Sequence, residues 1–362
     1  MTWTEYFVII IVVLIFIVVF QIAKASEYVS VLKGEKKAFE QNNRINAFLM
    51  VVFLVLGLGA AWWCNQALYK KTLLWVPSAS EHGENIDTMM WITLAITGVV
   101  FVITQVLLFW FAYKYQASET KKAHYYPHNN KLEMLWTAVP AIALTVLVAF
   151  GLVYWYRITG DAPKEAAEIE ITGHQFGWEY RYPGKDGVLG RQNFKLIDAG
   201  KSNPLGQDWK DAANLDDLHP SEMHMVVNKP VKLIIRSQDV IHDVGLSHFR
   251  LKMDAVPGTP TTMWFTPKYT TAKMKEITGD ANFVYEISCD QMCGAGHYSM
   301  KGTIVVDTQE DYDKWMASLK PQYLTAHPEP AAEAKPSAAA APASDTAKAA
   351  GTGKPVAMNA SH

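Results

Sequence analysis

Between residues 289 and 300 the chain reads Cys289-Asp290-Gln291-Met292-Cys293-Gly294-Ala295-Gly296-His297-Tyr298-Ser299-Met300. Two thiols, an imidazole and a thioether fall within these twelve residues, and Asp239-Val240-Ile241-His242 upstream supplies a second imidazole. Thiolate, imidazole and thioether are the soft-to-borderline donors that select copper over harder ions. A single blue-copper centre needs one Cys, two His and a weak Met. This set has a thiolate to spare. It suits two coppers bridged by both sulfurs, with His242 and His297 as the terminal imidazoles and Met300 as a weak axial donor. Sharing one electron over two ions in a preformed loop keeps the geometry nearly constant between redox states, which is the chemistry of electron transfer. The same donors also allow a zinc site of two Cys and two His, but a tetrahedral zinc leaves Met300 unused.

Such a loop needs a rigid support. Short runs at 168–172, 231–236, 261–266, 283–288 and 303–307 are rich in β-branched and aromatic residues and separated by Gly, Pro, Asn and Asp, the pattern of strands. The cysteine loop lies between the last two, and His242 arrives from a neighbouring strand connection. Residues 158–320 are enough for an all-β domain with its own core, and periodicity alone reads them as antiparallel β. The polar segment 190–220 is expected to be a surface excursion. His174, His219, His224 and His248 lack ligand-like spacing and are expected to serve packing or the surface.

Upstream, the composition changes. Stretches 6–23, 45–67, 89–113 and 134–156 are free of charged residues, and each approaches or exceeds the roughly 20 apolar residues that cross a bilayer. The first resembles a secretory signal only superficially, since it lacks a basic leading region and carries Glu5 before the apolar run. It is expected to be retained. Lys24, Lys33, Lys36, Lys37 and Arg44 follow the first stretch, and Lys114, Lys121, Lys122 and Lys131 follow the third. The positive-inside rule puts both connections in the cytoplasm. Both termini and everything after Arg157 then lie outside. Pro140 is expected to kink the fourth span. From Thr325 onward the chain is dominated by Ala, Pro, Lys, Glu and Ser, too poor in bulky apolar residues to repay the entropy of ordering, and a disordered tail is expected over 321–362.

Only three cysteines occur. Two are already assigned and Cys64 has no obvious partner, so no structural disulfide is expected. No Cys-x-x-Cys-His occurs, so no covalently attached haem is expected, and no nucleic-acid partner is implied.

In order and spacing, Ser237–His242, Asp254-Ala-Val-Pro-Gly258 and Cys289-x-x-x-Cys293-Gly-x-x-His297-x-x-Met300 resemble subunit II of cytochrome c oxidase, the copper-bearing subunit of haem–copper terminal oxidases. Gly173-His-Gln175 with Trp178 resembles the aromatic segment opening that family's soluble domain, and His128-Asn-Asn-Lys-Leu-Glu133-x-x-Trp136 the start of its last membrane helix. The resemblance runs over roughly 88–318. Of the four spans, the last two then form the subunit II hairpin at 86–157, and the first two are an extension within 1–85, outside the resemblance. A cupredoxin-like Greek-key domain follows at 158–320.

The resemblance also implies roles. His242, Cys289, Cys293, His297 and Met300 would hold the dinuclear copper centre called CuA, and the backbone carbonyl of Gln291 would complete the second copper. The family binds magnesium at the interface with subunit I through a glutamate at the position of Gln291. An amide offers oxygen with less charge, which weakens the case for that ion here. Glu133 matches the glutamate at the mouth of a proton-uptake channel. Phe176 replaces the Trp at which electrons usually enter, leaving Trp178, a departure that fits a donor tethered in a larger respiratory assembly.

The function implied is acceptance of electrons from a c-type cytochrome and delivery to haem in subunit I, where oxygen is reduced and protons are pumped, in a multi-pass protein of the bacterial inner membrane with a periplasmic copper domain. Alternatives are the electron-accepting subunit of a copper-containing nitric oxide reductase and a membrane-tethered copper-binding protein. Residues 158–320 carry a net of five negative charges, which would steer a basic donor. Quinol oxidases lack these copper ligands, and soluble nitrous oxide reductase has no need of four spans.

Overall fold

The computed structural model describes residues 3–118 and 121–328. Residues 329–362, most of the expected tail, lie outside the described residues. Among the described residues, four helices are long and apolar enough to cross a bilayer. They are α1 (Trp3–Lys33), α2 (Glu35–Leu68), α3 (Glu81–Lys114) and α4 (Asn130–Thr159). Side chains such as Phe16, Phe53, Ile103 and Ile142 stand exposed, as they must where the surrounding solvent is lipid and the backbone satisfies its own hydrogen bonds. Lys33, Lys114 and Arg157 occupy last turns, where the helix dipole favours cations.

The basic segment 24–44, read in the sequence as a connection, is helical except at Gly34, whose φ of 80° lets the chain break between α1 and α2. Helix formers such as Lys and Glu dominate there, and Lys24 pairs with Glu27 at 3.0 Å. α4 runs on through Pro140. At its start, Asn129 accepts from the Leu132 amide at 3.1 Å while Glu133 accepts from the Asn129 amide at 3.2 Å. This reciprocal cap satisfies two of the donors a helix start leaves free.

Nine strands form two sheets among the described residues. They are β1 (Ala167–His174), β2 (Gly177–Arg181), β3 (Met223–Val226), β4 (Val231–Ser237), β5 (His242–Leu246), β6 (Leu251–Ala255), β7 (Thr261–Phe265), β8 (Tyr285–Cys289) and β9 (Lys301–Asp307). One sheet runs β2-β1-β4-β7 and the other β3-β9-β8-β5-β6. Each contains a parallel pair, β1 with β4 and β3 with β9, where strand periodicity had suggested antiparallel pairing throughout. Ile169, Ile171, Leu233, Ile235 and Phe265 from one sheet, and Val244, Tyr285, Ile287, Ile304 and Val306 from the other, are buried. Each such side chain contributes about 1.5–3 kcal/mol by leaving water. Phe249 joins the sheets, 5.1 Å from Phe265 and 4.8 Å from Tyr285. Short helices α5 (Thr271–Thr278) and α6 (Gln309–Ser318) flank the domain.

The membrane hairpin is tied to this domain. Val76, Ser78, Ala79 and Ser80 are buried, and the Ser80 hydroxyl both accepts from Gly83, capping α3, and donates to Phe249 O at 2.7 Å. Arg250 pairs with Asp87 of α3 at 2.8 Å and donates to the carbonyls of Leu73 and Val76 at 2.8 and 2.9 Å. Lys268 pairs with Glu84.

A second compact unit comprises 183–218 together with described residues after Leu319. It differs from the expected surface excursion in having a buried polar interior. Gln207, Asn214 and Asp217 are fully buried. Gln207 donates to Asn214 at 3.1 Å and to Asp217 at 3.3 Å, while Asn214 donates to the carbonyls of Arg191 and Asp208. Residues read as the start of the tail complete it through α7 (Gln322–Ala326). Gln322 donates to Asp217 O at 2.8 Å and Ser202 O at 2.7 Å, and Tyr323 meets Trp209 edge-on at 5.7 Å.

Candidate metal centre

Strand register assembles the site. β5 pairs antiparallel with β8 so that Val244 faces Cys289 and Gly245 faces Ser288. His242 opens β5 and Cys289 closes β8, so both stand at the same end of the sheet. The chain then leaves as the loop 290–300 and returns as β9. Hydrogen bonds from Cys289 N to Met300 O and from Asp290 N to Asp243 O, each 3.2 Å, close its neck. A 3-10 turn, His297–Ser299, presents the second imidazole.

His242, Cys289 and Cys293 are buried and bring their ligand atoms within 4.8 Å of one another. The two sulfurs lie 3.8 Å apart, far beyond the roughly 2.05 Å of a disulfide, and both thiols are free. His242 Nδ1 is 3.8 Å from Cys289 Sγ and His297 Nδ1 is 3.7 Å from Cys293 Sγ. Met300 Sδ lies 3.9 Å from Cys293 Sγ, and the Gln291 carbonyl lies 3.2 Å from Cys289 Sγ. Every donor that the sequence singled out thus faces the sulfur pair. Burial pushes the Cys293 thiol up to about 11, and its hydrogen bond with Cys289 adds to the rise. Near neutral pH a metal must therefore displace a proton to bind.

The surroundings fix the imidazole. His242 Nε2 is 2.8 Å from Asp239 Oδ1. Burial alone would raise the Asp239 carboxyl, but hydrogen bonds from His242, Val240 and Gln175 outweigh it and hold it below its usual range. The carboxylate therefore accepts a hydrogen bond from Nε2–H and leaves the Nδ1 lone pair free toward the sulfurs. Trp178, buried in β2, sets its edge against His242 at 6.0 Å between centroids. Phe176 is 40% exposed and lies over the cysteine loop, against Gly294 and Gly296, where a side chain would collide with its ring. Gln291 presents its amide at the exposed surface. Glu133 lies elsewhere, at the start of α4.

Sequence reasoning missed Asp239 as a supporting group, although its place three residues before a ligand histidine is a usable signal. Of the other histidines, two pack against partners away from the sulfur pair. His224 stacks on Trp315 at 3.9 Å and bonds Asp307 at 2.6 Å, and His248 packs edge-on to Phe283 at 5.0 Å. Burial pushes His219 down to about 3, and the Glu179 carboxylate, 3.7 Å from its Nε2, raises His174.

Comparison with known proteins agrees with this geometry. The transmembrane domain of cytochrome c oxidase subunit II matches residues 69–153, and the periplasmic domain of the same subunit matches 167–309. The chain is 34% identical over 248 residues to the alternative cytochrome c oxidase subunit 2 of Bradyrhizobium diazoefficiens, covering 68% of this chain and 84% of that one. It is 26% identical over 248 residues to cytochrome c oxidase subunit 2 of Cereibacter sphaeroides, covering 66% and 78%. Among solved structures it is similar to the periplasmic domain of subunit II of cytochrome oxidase from Bradyrhizobium japonicum, with 25% identity, a TM-score of 0.30, and coverage of 43% of this chain and 94% of that one. A cysteine pair flanked by two imidazoles fits the copper site of such a domain. Both domains match in order, as do relatives along most of their length, so the chain belongs to the cytochrome c oxidase subunit II family.

Proposed function

We propose that the chain is the electron-accepting subunit of a haem–copper oxygen reductase, holding a dinuclear copper centre and working with a c-type cytochrome on one side and subunit I on the other. The observation that carries the proposal is the pair of sulfurs at 3.8 Å, each with a histidine Nδ1 beside it. Cys289 and Cys293 would hold the copper pair through their thiolates, His242 and His297 through ring nitrogens, and Met300 and the Gln291 carbonyl would be weaker donors. Bound there, a copper pair supplies one-electron exchange between the donor and haem, which feeds oxygen reduction and proton pumping in subunit I.

The chain's own residues do the rest. Asp239 holds the His242 ring in one tautomer, Trp178 and the sheet behind it exclude water, and the preformed loop keeps the ligands in place. Phe176, over the loop and partly exposed, is the aromatic surface offered to the donor, with Trp178 buried behind it. Glu133, in the first turn of α4, would serve proton uptake into subunit I from the cytoplasmic side. The amide of Gln291 is the group that would meet an interface magnesium. The basic residues on either side of the α1–α2 break and after α3 argue for the copper domain and both termini on the periplasmic face of a bacterial inner membrane.

The test is the intact complex, purified and analysed for metals. Two coppers per chain, with an unpaired electron shared over both nuclei in the half-reduced state and rapid reduction by a c-type cytochrome, are expected. A single copper, or zinc without visible absorption, would refute the proposal.

A further inference from the structure

We infer that Gln175, which carries no ligand atom, is a positioning residue for the copper centre; the inference rests on the copper reading above. It sits in the turn between β1 and β2, 118 residues from Cys293 and 64 from Asp239 in sequence, and it bonds both. Its side-chain Nε2 donates to the Cys293 carbonyl at 2.5 Å. Its backbone N–H donates at 2.7 Å to Asp239 Oδ2, while the other oxygen of that carboxylate faces His242 Nε2 at 2.8 Å. One residue therefore holds the Cys293 peptide and the carboxylate that orients His242, on two separate stretches of chain.

Geometry explains why the Cys293 bond matters. Cys293 precedes Gly294, whose φ of 136° is open to few residues other than glycine; the loop turns there, and the Gly294 carbonyl accepts from His297 N at 3.1 Å while the Cys293 carbonyl faces Gln175. The adjoining peptide orientation sets where Cys293 Sγ points, and that sulfur faces Cys289, His297 and Met300 at once. An amide donor fixed by β1 and β2 holds the peptide from outside the loop. Partners that orient metal ligands typically change metal affinity or activity about 10- to 100-fold when removed.

The experiment uses the intact complex carrying Gln175→Leu, which keeps bulk and removes the donor, and Gln175→Glu, which keeps shape and sets an acceptor against the Cys293 carbonyl. Both leave the backbone bond to Asp239 in place. Copper release to a chelator, the hyperfine pattern of the half-reduced centre, its reduction potential, and the thermal midpoint of the copper-free protein are measured beside wild type. Release faster by about 10- to 100-fold, with a hyperfine pattern less evenly shared and a shifted potential, is expected in both variants while the copper-free midpoint stays at the wild-type value. Wild-type release and spectra in both variants would overturn the inference. So would a lowered copper-free midpoint with an unchanged spectrum, since that marks ordinary packing. A wild-type complex without a two-copper spectrum would overturn the copper reading itself and this inference with it.

Discussion

Asp239 faces His242 Nε2 across 2.8 Å, and this one contact decides which nitrogen of the ring is free to bind a metal. Losing it should release the ring to either tautomer. Asp239→Ala is therefore expected to weaken copper binding by about 10- to 100-fold, measured by competition with a chelator, with Asp239→Asn intermediate. Equal affinity in all three proteins would mean that Trp178 and the sheet hold the ring unaided.

The ligands should not respond alike. Cys289→Ser or Cys293→Ser removes a sulfur that faces the rest of the set, and either is expected to abolish the dinuclear spectrum. Met300→Leu removes a weak axial donor and should leave two coppers bound at an altered potential. Identical spectra from all three variants would contradict the assigned roles.

Arg250 joins the sheet domain to α3 and to the segment before it. Its side chain is only 10% exposed, and hydrogen bonds to charged groups contribute about 1.5–3 kcal/mol each. Arg250→Ala should lower the thermal midpoint and speed hydrogen exchange at residues 73–83. Lysine at this position keeps the charge but loses the planar fork, so it should restore only part of the protection. Unchanged exchange in the alanine variant would show that Ser80 and Lys268 suffice.

Asp243 faces Asp254 across the β5–β6 register. Burial first, then the hydrogen bond with Asp254, raises its carboxyl from 3.8 to about 6. A raised carboxyl holds its proton more tightly in the folded than in the unfolded protein. Its contribution to stability is therefore complete below pH 3.8 and is lost as pH rises through about 6, a change of at most about 3 kcal/mol. Asp243→Asn should raise the melting temperature of copper-free protein at pH 8 and change it little at pH 4. A gain of the same size at both values would show that repacking, not ionisation, is responsible.

Membrane orientation has its own test. Reporter fusions after Gly34 should be cytoplasmic and those after Lys320 periplasmic. An external reporter at Gly34 would overturn the assignment made from the basic residues.

The candidate donors were legible because thiol, imidazole and thioether are rare donors, and all but His242 fall within one loop. Their supports were not. Gln175 and Asp239 are ordinary polar residues until the fold brings partners 64 and 118 positions away into contact. The four spans could be read from uncharged length, yet the helical turns through 24–44 could not, because charged helix formers look the same in a loop. Polarity also misled at 190–220. Gln207, Asn214 and Asp217 suggest a wet surface, but side-chain hydrogen bonds let all three lie fully buried. Parallel pairing of β1 with β4 left no trace in either strand, since alternation records faces and not neighbours.

The joining of Gln322 to Asp217 and Ser202 also has a place in time. A chain is made from its N-terminus, so the closing turn of the second unit is synthesised about a hundred residues after the unit's first stretch, and after the whole cysteine loop. A gene fragment cut at Lys320 would thus deliver the whole cysteine loop but leave that interior without its closing turn.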